Sequence, residues 1–207
     1  MSQAFEQALD RMPIIAILRG VTPDEILPIA KVLLKAGIQI IEVPLNSPDA
    51  CESIKLLANN LTDRAVYGAG TVVTLEDAVN ATKAGAQIIV SPNTNPDVIK
   101  YSIQHNAIPV PGFSTPTEAF TAIQSGARFL KLFPAESYHP THIKALKAVL
   151  PEYVRILAVG GTHEGNFKEW QAHGADGFGI GSNLYVRGAS VEVTAQRASK
   201  LINALKH

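Results

Sequence analysis

Eight short, nearly unbroken apolar runs recur along the chain: Ile14–Leu18, Gln39–Val43, Ala65–Tyr67, Gln87–Val90, Ile108–Val110, Arg128–Phe133, Arg155–Val159 and Gly177–Ile180. Runs such as Ile-Ile-Ala-Ile-Leu are apolar at consecutive rather than alternate positions, as expected of parallel strands covered on both faces. Helix-length segments separate them, with apolar residues three and four apart, as at Ile26, Ile29, Ala30, Leu33 and Leu34. Strand and helix in alternation imply βαβ crossovers. Eight units in 207 residues predict a single (β/α)8 TIM barrel over residues 1–207, with Gln3–Arg11 as an extra N-terminal helix. The alternative is an open doubly wound sheet, but no Gly-x-Gly-x-x-Gly follows the first strand.

The helix boundaries carry their own chemistry. Thr22-Pro-Asp-Glu25 and Thr115-Pro-Thr-Glu118 each supply a capping threonine, a proline at the first helical position and a glutamate to close a capping box. Thr74-Leu-Glu-Asp77 and Asn95-Pro-Asp97 are weaker versions of the same signal. Gly37, Gly85, Gly126 and Gly174 each follow a helical segment and precede the next strand, which marks them as left-handed helix ends.

Charge limits the range of partners. Eighteen Lys+Arg balance eighteen Asp+Glu and neither sign forms a run, which argues against a nucleic acid or membrane surface held by bulk electrostatics. Any bound anion must be gripped locally. Cys51 is the sole cysteine, so there is no intrachain disulfide and no cysteine-based metal site. Met1–Met12 carries Glu6 and Asp10 and does not read as a signal peptide, and no uncharged apolar stretch approaches the roughly 20 residues of a membrane helix. The expected compartment is the cytoplasm.

Barrel chemistry sits at the C-terminal strand ends. Phe129-Leu-Lys-Leu-Phe133 puts Lys131 inside a strand, on the same face as Phe129 and Phe133, which points it into the barrel. Desolvation there lowers the pKa of an amine and frees it to attack a carbonyl. The bland alternative is a lysine that snorkels or pairs with a carboxylate. Glu42 shares a strand face with Ile40 and Pro44, and serves either as the counter-ion of Lys131 or as a proton shuttle. Gly160-Gly161 and Gly181-Ser182 end the last two strands, where backbone N–H groups can surround a phosphate; otherwise they only make tight turns. Arg19, which follows strand one, is either an anion contact or a surface residue. Thr71 is either a substrate contact or the start of a turn. His139, His142, His163 and His173 lack accompanying carboxylates at ligand spacing and read as surface or capping residues, so no metal site is expected.

With these residues in view, the chain resembles the class I aldolases that cleave 2-keto-3-deoxy-6-phospho sugar acids. Ile-Leu-Arg19-Gly, Ile-Glu42-Val-Pro-Leu, Gly-Ala-Gly-Thr71-Val, Val-Ser-Pro92-Asn, Pro-Gly-Phe-Ser-Thr-Pro-Thr-Glu118, Lys131-Leu-Phe-Pro-Ala-Glu and Val-Gly160-Gly161 follow that family's signatures in order. The resemblance implies that Lys131 forms a Schiff base with the C2 ketone and that Glu42 shuttles protons. It implies that Arg19, Thr71 and Pro92 contact the carboxylate or pyruvate side of the substrate. Phe133 becomes a pocket wall, and Gly160, Gly161, Gly181 and Ser182 the phosphate end. No metal or other cofactor is implied, and a homotrimer is.

Two positions depart from the gluconate-type pattern of the family, which has an arginine near the glutamate and a threonine before the Gly-Gly pair. Asn46 and Val159 stand there, which resembles the galactonate branch. A valine supplies no hydroxyl to read an epimeric C4 substituent. The expected reaction is therefore cleavage of 2-dehydro-3-deoxy-6-phosphogalactonate to pyruvate and glyceraldehyde 3-phosphate. The alternatives are the gluconate epimer or both epimers, a phosphosugar isomerase on a similar barrel, and a non-catalytic sensor of phosphorylated sugar acids.

Overall fold

The computed structural model describes residues 2–61 and 64–206. Its strands are β1 (Ile14–Ile17), β2 (Ile40–Pro44), β3 (Val66–Gly70), β4 (Ile88–Val90), β5 (Ile108–Val110), β6 (Gly112–Phe113), β7 (Phe129–Leu132), β8 (Arg155–Val159) and β9 (Gly177–Ile180). The helices are α1 (Ser2–Arg11), α2 (Pro23–Ala36), α3 (Ala50–Asn60), α4 (Leu75–Lys83), α5 (Pro96–Gln104), α6 (Pro116–Gln124), α7 (Thr141–Lys147), α8 (Phe167–Ala172) and α9 (Val191–Lys206). All strand pairs are parallel, in the order β5-β4-β3-β2-β1-β9-β8-β7-β6.

The sequence predicts eight strands, and the described residues form nine segments because a short extra one, Gly112–Phe113, follows the fifth beyond Pro111. Proline brings no N–H to the ladder, so pairing lapses between Val110 and Gly112. β5 then pairs with β4, and β6 with β7. The Lys131 N–H donates to the Pro111 carbonyl at 2.8 Å and bridges the break. The two ends of the sheet are thus consecutive pieces of one strand, and the barrel closes there. β3 also runs further than expected, through Gly68-Ala69-Gly70, because both glycines hold ordinary strand dihedrals rather than turn ones.

Alternation along the strands builds two cores. Ile41, Val43, Tyr67, Ala69, Ile89, Leu130, Leu132, Ile156, Ala158 and Phe178 face outward to the helices. Ile15, Ile17, Ile40, Val66, Ile88, Val90, Ile108, Val110, Phe129, Leu157 and Val159 fill the barrel. Phe5, Ala8 and Leu9 of α1 join the inner set, so this helix plugs the N-terminal end of the barrel. The Phe5 ring meets Phe129 edge-on at 4.7 Å between centroids. Arg155 donates to Asp10 at 2.6 Å, and Arg128 pairs with Glu6 at 3.4 Å, tying α1 to the feet of β8 and β7.

The capping signals perform as their chemistry dictates. Thr22 donates its N–H and its hydroxyl to Glu25, at 3.0 and 2.9 Å. Thr115 and Thr74 form complete boxes with Glu118 and Asp77. Gly37 ends α2 at a φ of 106°, from which its N–H reaches the carbonyls of Leu33 and Leu34. No helix among the described residues is long and apolar enough to cross a membrane.

Phe5 is fully buried, and its loss would leave a void where the plug meets Phe129. Phe5→Ala should destabilise the protein by about 3–5 kcal/mol, read as a lower urea midpoint at unchanged m-value.

Candidate active site

Two charged side chains interrupt the apolar filling of the barrel. Glu42 on β2 is 1% exposed and Lys131 on β7 is 6% exposed. Both face inward, since Ile40 on one strand and Phe129 on the other belong to the inner core. Burial pushes the Glu42 carboxyl up to about 7, although Lys131 and Arg19 both pull it down. Burial lowers Lys131 as well; Glu42 opposes that shift and Arg19 adds to it. Desolvation therefore wins at both groups and draws their proton affinities toward each other. The Lys131 Nζ lies 4.7 Å from the centre of the Phe133 ring, whose face favours the cationic form. Oε2 of Glu42 is sealed from solvent and has no hydrogen-bond partner.

Arg19, Asn46 and Thr71 follow the C-terminal ends of β1, β2 and β3. Arg19 donates to the Asn46 side-chain oxygen at 2.6 Å and to the Thr71 hydroxyl at 3.4 Å. Thr71 sits at a φ of 57°. A β-branched residue is strained in that region, and such strain concentrates where a side chain must be aimed. The sequence left Thr71 open between a substrate contact and the start of a turn; the structure shows a positive-φ residue whose hydroxyl accepts from Arg19. Asn46 stood out in the sequence only as a departure from a pattern. As the acceptor that orients Arg19 it had one legible signal: it lies two residues past β2, as Arg19 lies two past β1.

Val159, at the end of β8, is 6% exposed and belongs to the inner core, with Gly179 of β9 as its register partner. Pro92, just past β4, packs against Gly112 so closely that a Cβ there would meet the Pro92 carbonyl at 2.3 Å. Gly160 and Gly161 follow β8 with φ of 100° and 67°, and Gly181 opens a helical turn by accepting from the N–H groups of Leu184 and Tyr185. The Asn183 amide donates to the Thr162 carbonyl at 3.0 Å and joins the two glycine-bearing loops. Arg197 donates to the Ser182 carbonyl at 3.3 Å. Thr162, Asn183 and Arg197 have no sequence signature for this role, because they act through contacts between distant segments.

The four histidines singled out in the sequence contact other protein groups, two of them across distant segments. His163 accepts from the Gly165 N–H, His139 meets the Thr141 hydroxyl, His173 meets the Glu169 carbonyl and His142 meets the Ser114 carbonyl. Among the described residues no three His, Cys, Asp or Glu side chains gather as a metal site.

The raised Glu42 value fixes a pH dependence of stability. The folded protein holds a proton that an unfolded glutamate, at 4.5, releases. The associated stability is complete below about pH 4.5 and is lost as pH rises through about 7. Glu42→Gln should therefore be more stable than wild type at pH 8, by a few kcal/mol, with the gap closing at pH 5 in paired denaturation curves.

Comparison with known proteins agrees with this geometry. The sequence model of the KDPG and KHG aldolases matches residues 5–201. The 2-dehydro-3-deoxy-6-phosphogalactonate aldolase of Escherichia coli strain K12 is 43% identical over 196 residues, which span 95% of this chain and 96% of that protein. A solved structure described as native KDPGal superposes with a TM-score of 0.92 at 43% identity, over 95% of each chain. A cube-shaped protein cage designed by fusing symmetric oligomeric domains matches with the same TM-score and identity, over 95% of this chain and 73% of that one. A barrel of this topology with an inward lysine and glutamate, matched along nearly its whole length, belongs to the KDPG and KHG aldolase family.

Proposed function

We propose that this chain is a lysine Schiff-base aldolase that cleaves 2-dehydro-3-deoxy-6-phosphogalactonate into pyruvate and D-glyceraldehyde 3-phosphate. The observation that carries the reading is the desolvated Lys131, whose lowered proton affinity leaves more free amine beside a glutamate that titrates near neutrality. The substrate class is that of the Escherichia coli relative.

In the proposed reaction the Lys131 amine attacks the C2 carbonyl, and Glu42 moves the protons that convert the carbinolamine to an iminium with loss of water. The iminium is the electron sink. As the C4 hydroxyl loses its proton, the C3–C4 bond breaks, its electron pair forms the enamine, and the aldehyde departs. Protonation at C3 and hydrolysis return pyruvate and the free amine. A group with a value near 7 can both give and take protons in this cycle.

Arg19, held by Asn46 and Thr71, is assigned to the substrate carboxylate, with Thr71 and Pro92 beside it and Phe133 as a wall next to the amine. Gly160, Gly161, Gly181 and Ser182 are assigned to the phosphate. The joined loops would offer it backbone N–H groups, which suits a chain with no net charge to spend on steering. The proposed assembly is a homotrimer, in keeping with the likeness to a cage built from symmetric oligomeric domains.

Incubation with pyruvate and borohydride should leave a reduced adduct that peptide mass spectrometry locates on Lys131, with none in Lys131→Ala. A folded protein that yields no adduct sinks the Schiff-base reading and favours an isomerase or a binding protein. Val159→Thr, which adds a hydroxyl to the inner wall, should raise kcat/KM for the gluconate epimer relative to the galactonate one by about tenfold. An unchanged ratio removes Val159 from the specificity assignment.

A further inference from the structure

Gly70 is the last residue of β3, with Pro44 of β2 as its register partner, while Glu42 is paired with Gly68. Its φ lies outside the left-handed region, so the backbone alone would accept any L-residue. Space is what excludes them. A Cβ built on Gly70 would lie 1.5 Å from Oε2 of Glu42, 2.2 Å from Cδ and 2.5 Å from Oε1. The three nearest atoms all belong to that one carboxylate, which therefore rests on the bare backbone of β3. Gly68 is different in kind, because its Cβ would strike the Ile88 backbone oxygen at 2.0 Å and bar the approach of β4. One glycine serves the sheet, and the other serves a side chain.

The direction of the contact matters. Glu42 leans from its own register partner toward Gly70, one pleat closer to the C-terminal mouth, where Thr71 follows directly and Arg19 reaches across. The Leu45 N–H donates to the Gly70 carbonyl at 2.8 Å and fixes the floor on which the carboxylate lies. Oε2, the atom nearest the missing Cβ, is buried without a hydrogen-bond partner, so no donor holds it in place. Contact with the backbone does that instead.

We propose that Gly70 is a positioning residue: the absence of its side chain creates the seat that holds the Glu42 carboxylate at the mouth of the barrel, in line for proton transfer. What the seated carboxylate does rests on the aldolase reading above, whereas the contact itself stands without it. A methyl group at position 70 would force Glu42 out of its seat, since the inner core around Ile40 and Val66 is filled.

The test uses Gly70→Ala, Glu42→Ala and the double variant in the full chain, with thermal midpoint, steady-state cleavage across pH, and pyruvate–borohydride trapping. Gly70→Ala should lower kcat by about 10- to 100-fold, keep KM within about threefold and displace the kcat–pH profile. In the Glu42→Ala background the same change should cost less than about twofold in kcat, because the group it displaces is gone. The midpoint should fall in the wild-type background and stay level in the Glu42→Ala one. If Gly70→Ala alone does not fold, the double variant should.

Equal losses in both backgrounds, a wild-type pH profile in Gly70→Ala, or a double variant as unstable as the single one would each overturn the proposal. A wild-type protein with neither cleavage nor a Lys131 adduct would instead refute the aldolase reading, and the midpoint cycle would still decide whether Gly70 seats Glu42.

Discussion

Taking a lysine and a glutamate out of water costs several kcal/mol per ion, and the interior of this barrel does so to both on facing sides of one sheet. The penalty is partly offset by their mutual field and by the face of Phe133, but neither offset is complete: Lys131 stays below its usual value and Glu42 rises to about 7. Arg19 adds a third charge at the mouth, which favours the ionised carboxylate and the neutral amine together. The rest of the molecule keeps that arrangement dry and in register. An inner core of branched aliphatic residues leaves little alternative space, and strand pairing fixes which residues share the interior.

Rigidity of the mouth comes from links between neighbouring loops rather than from any one loop. Arg19, Asn46 and Thr71 join the ends of three adjacent strands, while Asn183 and Thr162 join the ends of two more. Tyr185, buried just past the Gly181 turn, donates to Glu25 at 3.1 Å and so ties that turn to the capped start of α2. Glu25 thus takes part in both a helix cap and a tertiary strut. The loops with glycines at positive φ are held by contacts that the glycines themselves cannot make.

Much of this was legible in the sequence because it depends on local periodicity. Alternation put Lys131, Phe129 and Phe133 on one face, and Glu42 with Ile40 on another, and both faces do line the interior. Capping boxes at Thr22 and Thr115 marked helix starts, since the partner residues are three apart. What escaped the sequence depends on distance in the chain. Pro111 is an unremarkable proline until the sheet must close across it. Asn46 and Arg19 are 27 residues apart, and only their matching places, two residues past β2 and β1, link them in the sequence. Gly68 and Gly70 lie beyond the apolar run that marks the third strand, whereas the structure places both in that strand, each making room for a different neighbour.

The helical plug has a further consequence. With Phe5, Ala8 and Leu9 filling one end of the barrel, the interior is a cup and not a tube. Traffic to and from Lys131 has a single rim to pass, so a molecule that enters must leave by the way it came, and two fragments made inside would leave in sequence. In the proposed cleavage the aldehyde, which is not bound to Lys131, leaves first, and water then releases the pyruvate. In a vessel with one opening, the covalent anchor sets which fragment stays, and the shape sets where the other must leave.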